Sequence, residues 1–150
     1  MSGERLSDSE VDLIKQELQA VIDTLIRGCE ALDMEEAFGM FDDSPDFLMM
    51  GTGGSLCDYQ TYLNDNIAYL TTCSAFNLTT LNQEIRILNR DMAIVAWAYQ
   101  VEAALKTGEK DIIDHAGASF VFRRVSGTWK VVYYHESSVP LQRVSTAHSV

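Results

Sequence analysis

The sequence predicts an α+β domain in which helices come first and a long, curled antiparallel sheet follows. Three observations carry this. Apolar residues recur at three- and four-residue steps in the first part of the chain, and from Phe76 onward the texture changes to long β-type runs. Those runs are separated by turn chemistry at Asn89-Arg90-Asp91, Lys106-Thr107-Gly108-Glu109 and Ser126-Gly127. Runs this long exceed the usual strand of about five or six residues, so the sheet must twist strongly. A twisted sheet closed by helices makes a cone with an interior.

Each element has a local reason. Ser7-Asp8-Ser9-Glu10 is a capping box, and behind it Val11, Ile14, Leu18, Val21, Leu25, Cys29 and Leu32 form one stripe of a long helix. Asp12, Lys15, Glu17, Gln19 and Asp23 are expected to face water. Asp33 and Glu36 open a shorter helix with Met34, Ala37, Phe38 and Phe41 on its apolar side, and Ser44-Pro45 stops it. "DFLMMGTGG" reads as a short buried strand running into a glycine corner at Gly51, Gly53 and Gly54. Asp58 caps a third helix with Tyr59, Leu63, Ile67 and Leu70 on one face. Four strands follow at about 76–89, 91–105, 110–125 and 128–138. The domain is expected over residues 8–140, with tails at 1–7 and 141–150.

Composition narrows the classes. At 150 residues, with 47% apolar residues, the chain has the makeup of one globular domain. No apolar stretch approaches the roughly 20 residues of a membrane span, and MSGERLSDSE has no apolar core of a secretory signal. The Asn77-Leu78-Thr79 sequon therefore carries no glycosylation message. Residues 1–70 hold 15 acids and 3 bases, and the net charge of the chain is −11. An acidic front half disfavours nucleic acid, which requires a basic face. Cys29, Cys57 and Cys73 are widely spaced, so they are read as reduced thiols of a cytoplasmic protein. His115, His135 and His148 lack metal-ligand spacing, so no metal and no cofactor are expected.

Strand alternation nominates the polar candidates. In "GTWKVVYYHESSVP", strict alternation puts Trp129, Val131, Tyr133, His135 and Ser137 on one face, with Lys130, Val132, Tyr134 and Glu136 on the other. In "MAIVAWAYQVEAALK", Val95, Trp97, Tyr99 and Val101 share a face. The pattern leaves open whether that face fills a core, meets a second copy or walls a pocket. Asp111, Ile113, His115, Gly117 and Ser119 share a face of the third strand, where Gly117 and Ser119 are small enough to leave space. Asp114 and His115 are neighbours on a strand, so they cannot pair directly.

The final segment, with Gly127, Trp129, Val131, His135, Ser137 and Pro140, and the preceding "GASFVFRRVSG", resemble the nuclear-transport-factor-2-like superfamily. The resemblance is to the SnoaL-like (polyketide cyclase-like) branch, and also to the association domain of calcium/calmodulin-dependent kinase II. It implies a cystatin-like cone enclosing a pocket, with the face carrying Trp129 and His135 turned inward. It also implies a homodimer paired through the sheet, with Val132, Tyr134, Ile112, Phe120 and Phe122 outside. The ketosteroid isomerases of this superfamily keep a carboxylate at the end of the first strand and a tyrosine on the first helix. Here those places read Met49-Met50-Gly51 and a helix without tyrosine, so that activity is not expected.

The expectation is a protein that binds a small apolar or aromatic molecule, without nucleic acid or membrane partners. Two functions stay open. One is an isomerase, cyclase or dehydratase with His135 as acid-base and Tyr133 positioning the substrate. The other is a non-catalytic ligand-binding or association module. Candidate ligand contacts are Trp97, Tyr99, His115, Ser119, Ser137 and Met50.

Overall fold

The computed structural model describes residues 5–145. The chain begins with α1 (Asp8–Glu30) and α2 (Met34–Phe38), followed by β1 (Leu48–Met50) and β2 (Leu56–Cys57). Next come α3 (Tyr59–Thr71), β3 (Cys73–Asn89), β4 (Met92–Leu105), β5 (Glu109–Val125), β6 (Thr128–Ser138) and β7 (Gln142–Ser145). The expected helices and the four long strands are present almost residue for residue. The short β2 and β7 are additions, and β7 lies where a tail was expected.

Strand order is β2-β1-β6-β5-β4-β3, with β7 also on β5. Neighbours run antiparallel except β1, which lies parallel to β6 with Met49 beside Tyr134 and Met50 beside His135. The result is a curved, unclosed mixed sheet whose concave side is covered by the helices, an α+β cone.

The capping box starts α1 as expected: the Glu10 backbone donates to Ser7 Oγ at 3.2 Å, and the Ser7 backbone donates to Glu10 Oε2 at 2.8 Å. The buried stripe is Ile14, Leu18, Ile22, Leu25, Gly28 and Cys29. At Gly28 a Cβ would lie 2.2 Å from the backbone nitrogen of Ala37, so only glycine lets α1 and α2 approach so closely. Glu17 is not simply solvated. It accepts a 2.8 Å bond from Trp129 Nε1 and pairs with Arg124, which itself covers the Trp129 ring. Gln19 likewise reaches the sheet, bonding Gln83. These polar ties fix the helix layer on the open end of the sheet.

The long strands depart from strict alternation where one strand carries extra residues. Val121 pairs with Tyr133 and Phe122 with Val131, so Val132 is a bulge in β6. Likewise Tyr99 pairs with Ala116 and Val101 with Ile113, which leaves Asp114 and His115 as the irregular stretch of β5. β3 carries three extra residues against β4, namely Ser74, Leu81 and Leu88. Each irregularity reverses the faces beyond it. Trp129 and Val131 point into the core as expected, but beyond Val132 the inward residues are Tyr134 and Glu136. Tyr133, His135 and Ser137 turn outward. The expected outer set is corrected for the same reason: Phe120, Phe122 and Tyr134 are core residues.

Candidate functional site

Beneath the helices the cone holds a cavity of about 270 Å³. Its wall is assembled from three directions. β4 contributes Trp97 and Tyr99, whose rings stack with centroids 4.2 Å apart, and Trp97 Nε1 donates to Thr80 Oγ1 at 2.9 Å. β6 contributes Tyr134 and Glu136, and the Tyr134 ring stacks on Phe120 at 5.0 Å. α3 contributes Tyr62, Asn66 and Tyr69, spaced at helical intervals so that one face looks into the hollow. Cys29 of α1 and Phe38 of α2 close the far side.

The polar atoms converge. Tyr134 Oη donates to Glu136 Oε2 at 2.7 Å, and the Tyr62 and Tyr134 rings lie 5.3 Å apart. Burial, then the neighbouring Tyr62, Tyr99 and Glu136, holds the Tyr134 hydroxyl neutral far above the ordinary tyrosine range. Burial acts in the same way on Tyr62 and Tyr99, with the Glu136 charge adding to it and a hydrogen bond to Tyr134 working against it. These hydroxyls are therefore donors, not bases. The Cys29 thiol is pushed up to about 12 by burial, which keeps it protonated at neutral pH and slow to react with thiol reagents. Among the described residues lining the cavity, Glu136 is the one carboxylate, and no lysine, arginine or histidine accompanies it. Such a site suits a neutral molecule with a hydrogen-bonding group, since an anion would meet Glu136 without a compensating cation.

The residues nominated from sequence divide between two faces. Trp97 and Tyr99 line the cavity. His135, Ser119 and Ser137 instead border an outer groove of about 370 Å³, floored by Ala96, Ala98 and Gly117. Strict alternation missed this because Val132 is looped out of β6 and the Asp114–His115 stretch shifts the phase of β5. Met50 stands beside His135 in the ladder, and Tyr133 is half-buried on that same outer face. His115 is exposed at the irregular stretch of β5, where its carbonyl accepts from the Val139 backbone at 3.0 Å. His148 lies outside the described residues. Sequence reasoning missed Tyr62, Tyr134 and Glu136. The 62-66-69 spacing on α3 was a readable signal for the first, whereas the other two needed the bulge. Among the described residues no group of three metal-ligating side chains gathers, and no helix is long and apolar enough to cross a membrane.

Comparison with known families places this geometry. The description of the calcium/calmodulin dependent protein kinase II association domain matches residues 14–140. The chain belongs to that family. Among solved structures, a calcium/calmodulin dependent protein kinase II association domain protein from Xanthomonas campestris is similar at 21% identity, with a TM-score of 0.67, over 83% of this chain and 86% of that one. A hexachlorocyclohexane dehydrochlorinase from Novosphingobium barchaimii has a TM-score of 0.75 at 14% identity, covering 96% of this chain and 99% of its own. A protein assigned as a scytalone dehydratase from Novosphingobium aromaticivorans reaches 0.78 at 9% identity, covering 96% and 100%. These likenesses show that the chain shares its fold with these proteins. No curated protein matches the chain.

Proposed function

We propose that this association-domain protein binds a small, flat, neutral molecule in the cone and presents Glu136 to it as a proton acceptor. The supporting observation is the convergence of Tyr62, Tyr99 and Tyr134 on Glu136 inside an otherwise apolar cavity. The volume lies just below the roughly 300–1,000 Å³ of ordinary ligand pockets, which suits one or two rings. Stacked Trp97 and Tyr99 offer a π-face, while neutral tyrosine hydroxyls can donate to a carbonyl oxygen.

A carboxylate beside neutral donors suits proton transfer at carbon. Glu136 takes a proton from the carbon next to the carbonyl, and the electron pair moves onto oxygen, where tyrosine hydroxyls stabilise the enolate. Return of the proton to another carbon is an isomerisation; loss of a β-leaving group is an elimination. That the structural relatives include a dehydrochlorinase is consistent with this chemistry. His135 is replaced by Glu136 as the proposed acid-base, because it faces away from the cavity.

The test uses one- and two-ring ketones and phenols as probes. In a Trp129→Phe background, Trp97 fluorescence should be quenched saturably by at least one of them. NMR in D₂O should show exchange of α-protons of a bound ketone, and Glu136→Gln should abolish exchange while leaving quenching. Absence of saturable quenching across the panel removes the ligand reading. Quenching with exchange unaffected by Glu136→Gln removes the catalytic role.

A specific observation favours a second, compatible role in assembly. The outer sheet face combines the small-residue groove with exposed Leu48 and Ile94, and the family is named for association. Two copies packed through this face would form the homodimer, with His135 and Ser137 at the contact. Ala96→Arg should then shift the sedimentation coefficient to that of a monomer without changing probe quenching. A wild-type protein that sediments as a monomer at micromolar concentration would exclude the pairing.

A further inference from the structure

Asp111 is the one fully buried charged residue among the described residues, and it lies outside the tyrosine–glutamate cluster. A carboxylate removed from water must be paired and hydrogen-bonded to be tolerated. Arg143 of β7 supplies both bonds of a bidentate fork, Nε to Oδ1 at 2.7 Å and Nη2 to Oδ2 at 2.9 Å. Tyr69 completes the shell, donating to Oδ2 at 2.8 Å. β7 itself is a four-residue strand, exposed throughout, paired with the Glu109–Ile112 stretch of β5. The β6 ladder stops at Ser138 opposite Ala116 and the β7 ladder begins at Gln142 opposite Ile112. Residues 139–141 bridge that gap across the irregular stretch of β5.

Two residues connect this arrangement to the cavity. Leu141 lines the hollow while remaining 43% exposed, so it stands at the mouth. Tyr69 lines it with its ring and holds Asp111 with its hydroxyl. We infer that residues 139–145 form a strap across the cavity mouth, latched by Arg143 on Asp111, and that release of this latch controls passage of small molecules into the cone. The inference rests on reading the cone as a binding site. Opening lifts Leu141 from the wall and leaves Asp111 with Tyr69 alone, which favours the closed state. Arg143 is itself 49% exposed, so water can compete for it and the closure is reversible.

Cys29 gives a readout that needs no ligand, because its buried thiol faces the cavity. Methyl methanethiosulfonate labelling, followed at Cys29 by peptide mass spectrometry, should accelerate roughly tenfold or more in Arg143→Gln, as befits loss of two charge-assisted bonds. Arg143→Lys, which keeps charge but not the fork, should fall between. The acceleration should be insensitive to low urea, as local opening requires. Stopped-flow quenching of Trp97 by a ketone probe should show association and dissociation rising together, with Kd changed less than about threefold, the mark of a gate rather than a lost contact. Unchanged Cys29 labelling in Arg143→Gln overturns the strap, as does acceleration that grows with urea in step with global unfolding. Failed quenching beside accelerated labelling removes the ligand and keeps the strap.

Discussion

β4 and β6 look alike as sequences and behave differently as strands. Both alternate bulky and small or polar residues, and both send aromatic side chains into the interior, Trp97 and Tyr99 from β4 and Trp129 and Tyr134 from β6. In β4 the alternation holds from end to end: Ala93, Val95, Trp97, Tyr99, Val101, Ala103 and Leu105 are all buried. Both of its ladders put their extra residues in the partner strand, Ser74, Leu81 and Leu88 of β3 on one side and the Asp114–His115 stretch of β5 on the other. In β6 the first half obeys the pattern, then Val132 loops out and the second half is turned over. A central strand pinned on both sides keeps its period of two. β6 has two full ladders only over part of its length, since β1 pairs with just Tyr133, Tyr134 and His135. Beyond β1's reach it is contacted on that side only by the isolated bridge from Phe41 to Val131. There an extra residue can be accommodated, and it brings Glu136 into the cavity in place of His135.

The comparison is broken most severely by deletion. Removing Ala98 from β4 turns Tyr99, Val101, Ala103 and Leu105 to the outside and buries Gln100 and Glu102. The expected cost exceeds the whole stability of a domain, about 5–15 kcal/mol, so urea titration should show no cooperative transition. Removing Val132 from β6 does the opposite: plain alternation then keeps Tyr134 and Glu136 inward. A cooperative transition weakened by only about 1–2 kcal/mol is expected, typical of a single mutation. Equal collapse of both deletions would mean that the bulge does not set the inward face.

Point substitutions sharpen the same contrast. Tyr134→Ala should cost about 3–5 kcal/mol, as for truncation of a buried aromatic, whereas its half-buried neighbour Tyr133→Ala should cost less than about 1 kcal/mol. Reversal of that order by chemical denaturation would restore strict alternation. Tyr134→Phe is gentler, at roughly 0.5–1.5 kcal/mol for one hydrogen bond. Because burial raises this hydroxyl's pKa, the 295 nm absorbance step near pH 10 should be no smaller in Tyr134→Phe than in the wild type. With the folded value raised, the linked stability is complete below the unfolded tyrosine pKa and is lost as pH rises past it.

The smallest expected effect lies on β5, where the strap meets the sheet. Arg143 bonds hold the Asp111 carboxyl below the usual range, against burial and with help from Tyr69. A depressed folded value means that this stabilisation is present above the ordinary carboxylate pKa, about 3.9, and is lost as pH falls through the folded value. Amide exchange in β7 should therefore show greater opening under acid than the pH dependence of exchange chemistry predicts. In Asp111→Asn that extra acid dependence should vanish. Its persistence would assign the effect to other groups.

Much of this molecule was legible before any coordinates. Local rules act within a few residues, so the Ser7 capping box, the Asp33 and Asp58 caps, the glycine turns at Gly108 and Gly127 and the length of the four strands all appear as expected. The α+β order and the closing helices belong to the same class, as does the shared face of Trp97 and Tyr99, although the pattern left open which way that face turns. What tertiary structure decided was phase. A bulge is a relation between two strands, since the extra residue exists only relative to the partner's count, and no feature of "WKVVYYHE" alone says whether Val132 or Tyr133 is skipped. From that one placement follow the outward His135, the inward Glu136 and the cluster it makes with tyrosines from α3, β4 and β6. The Arg143–Asp111 pairing was hidden for the same reason: burial of a carboxylate becomes tolerable only when a strand 32 residues away in sequence returns to meet it.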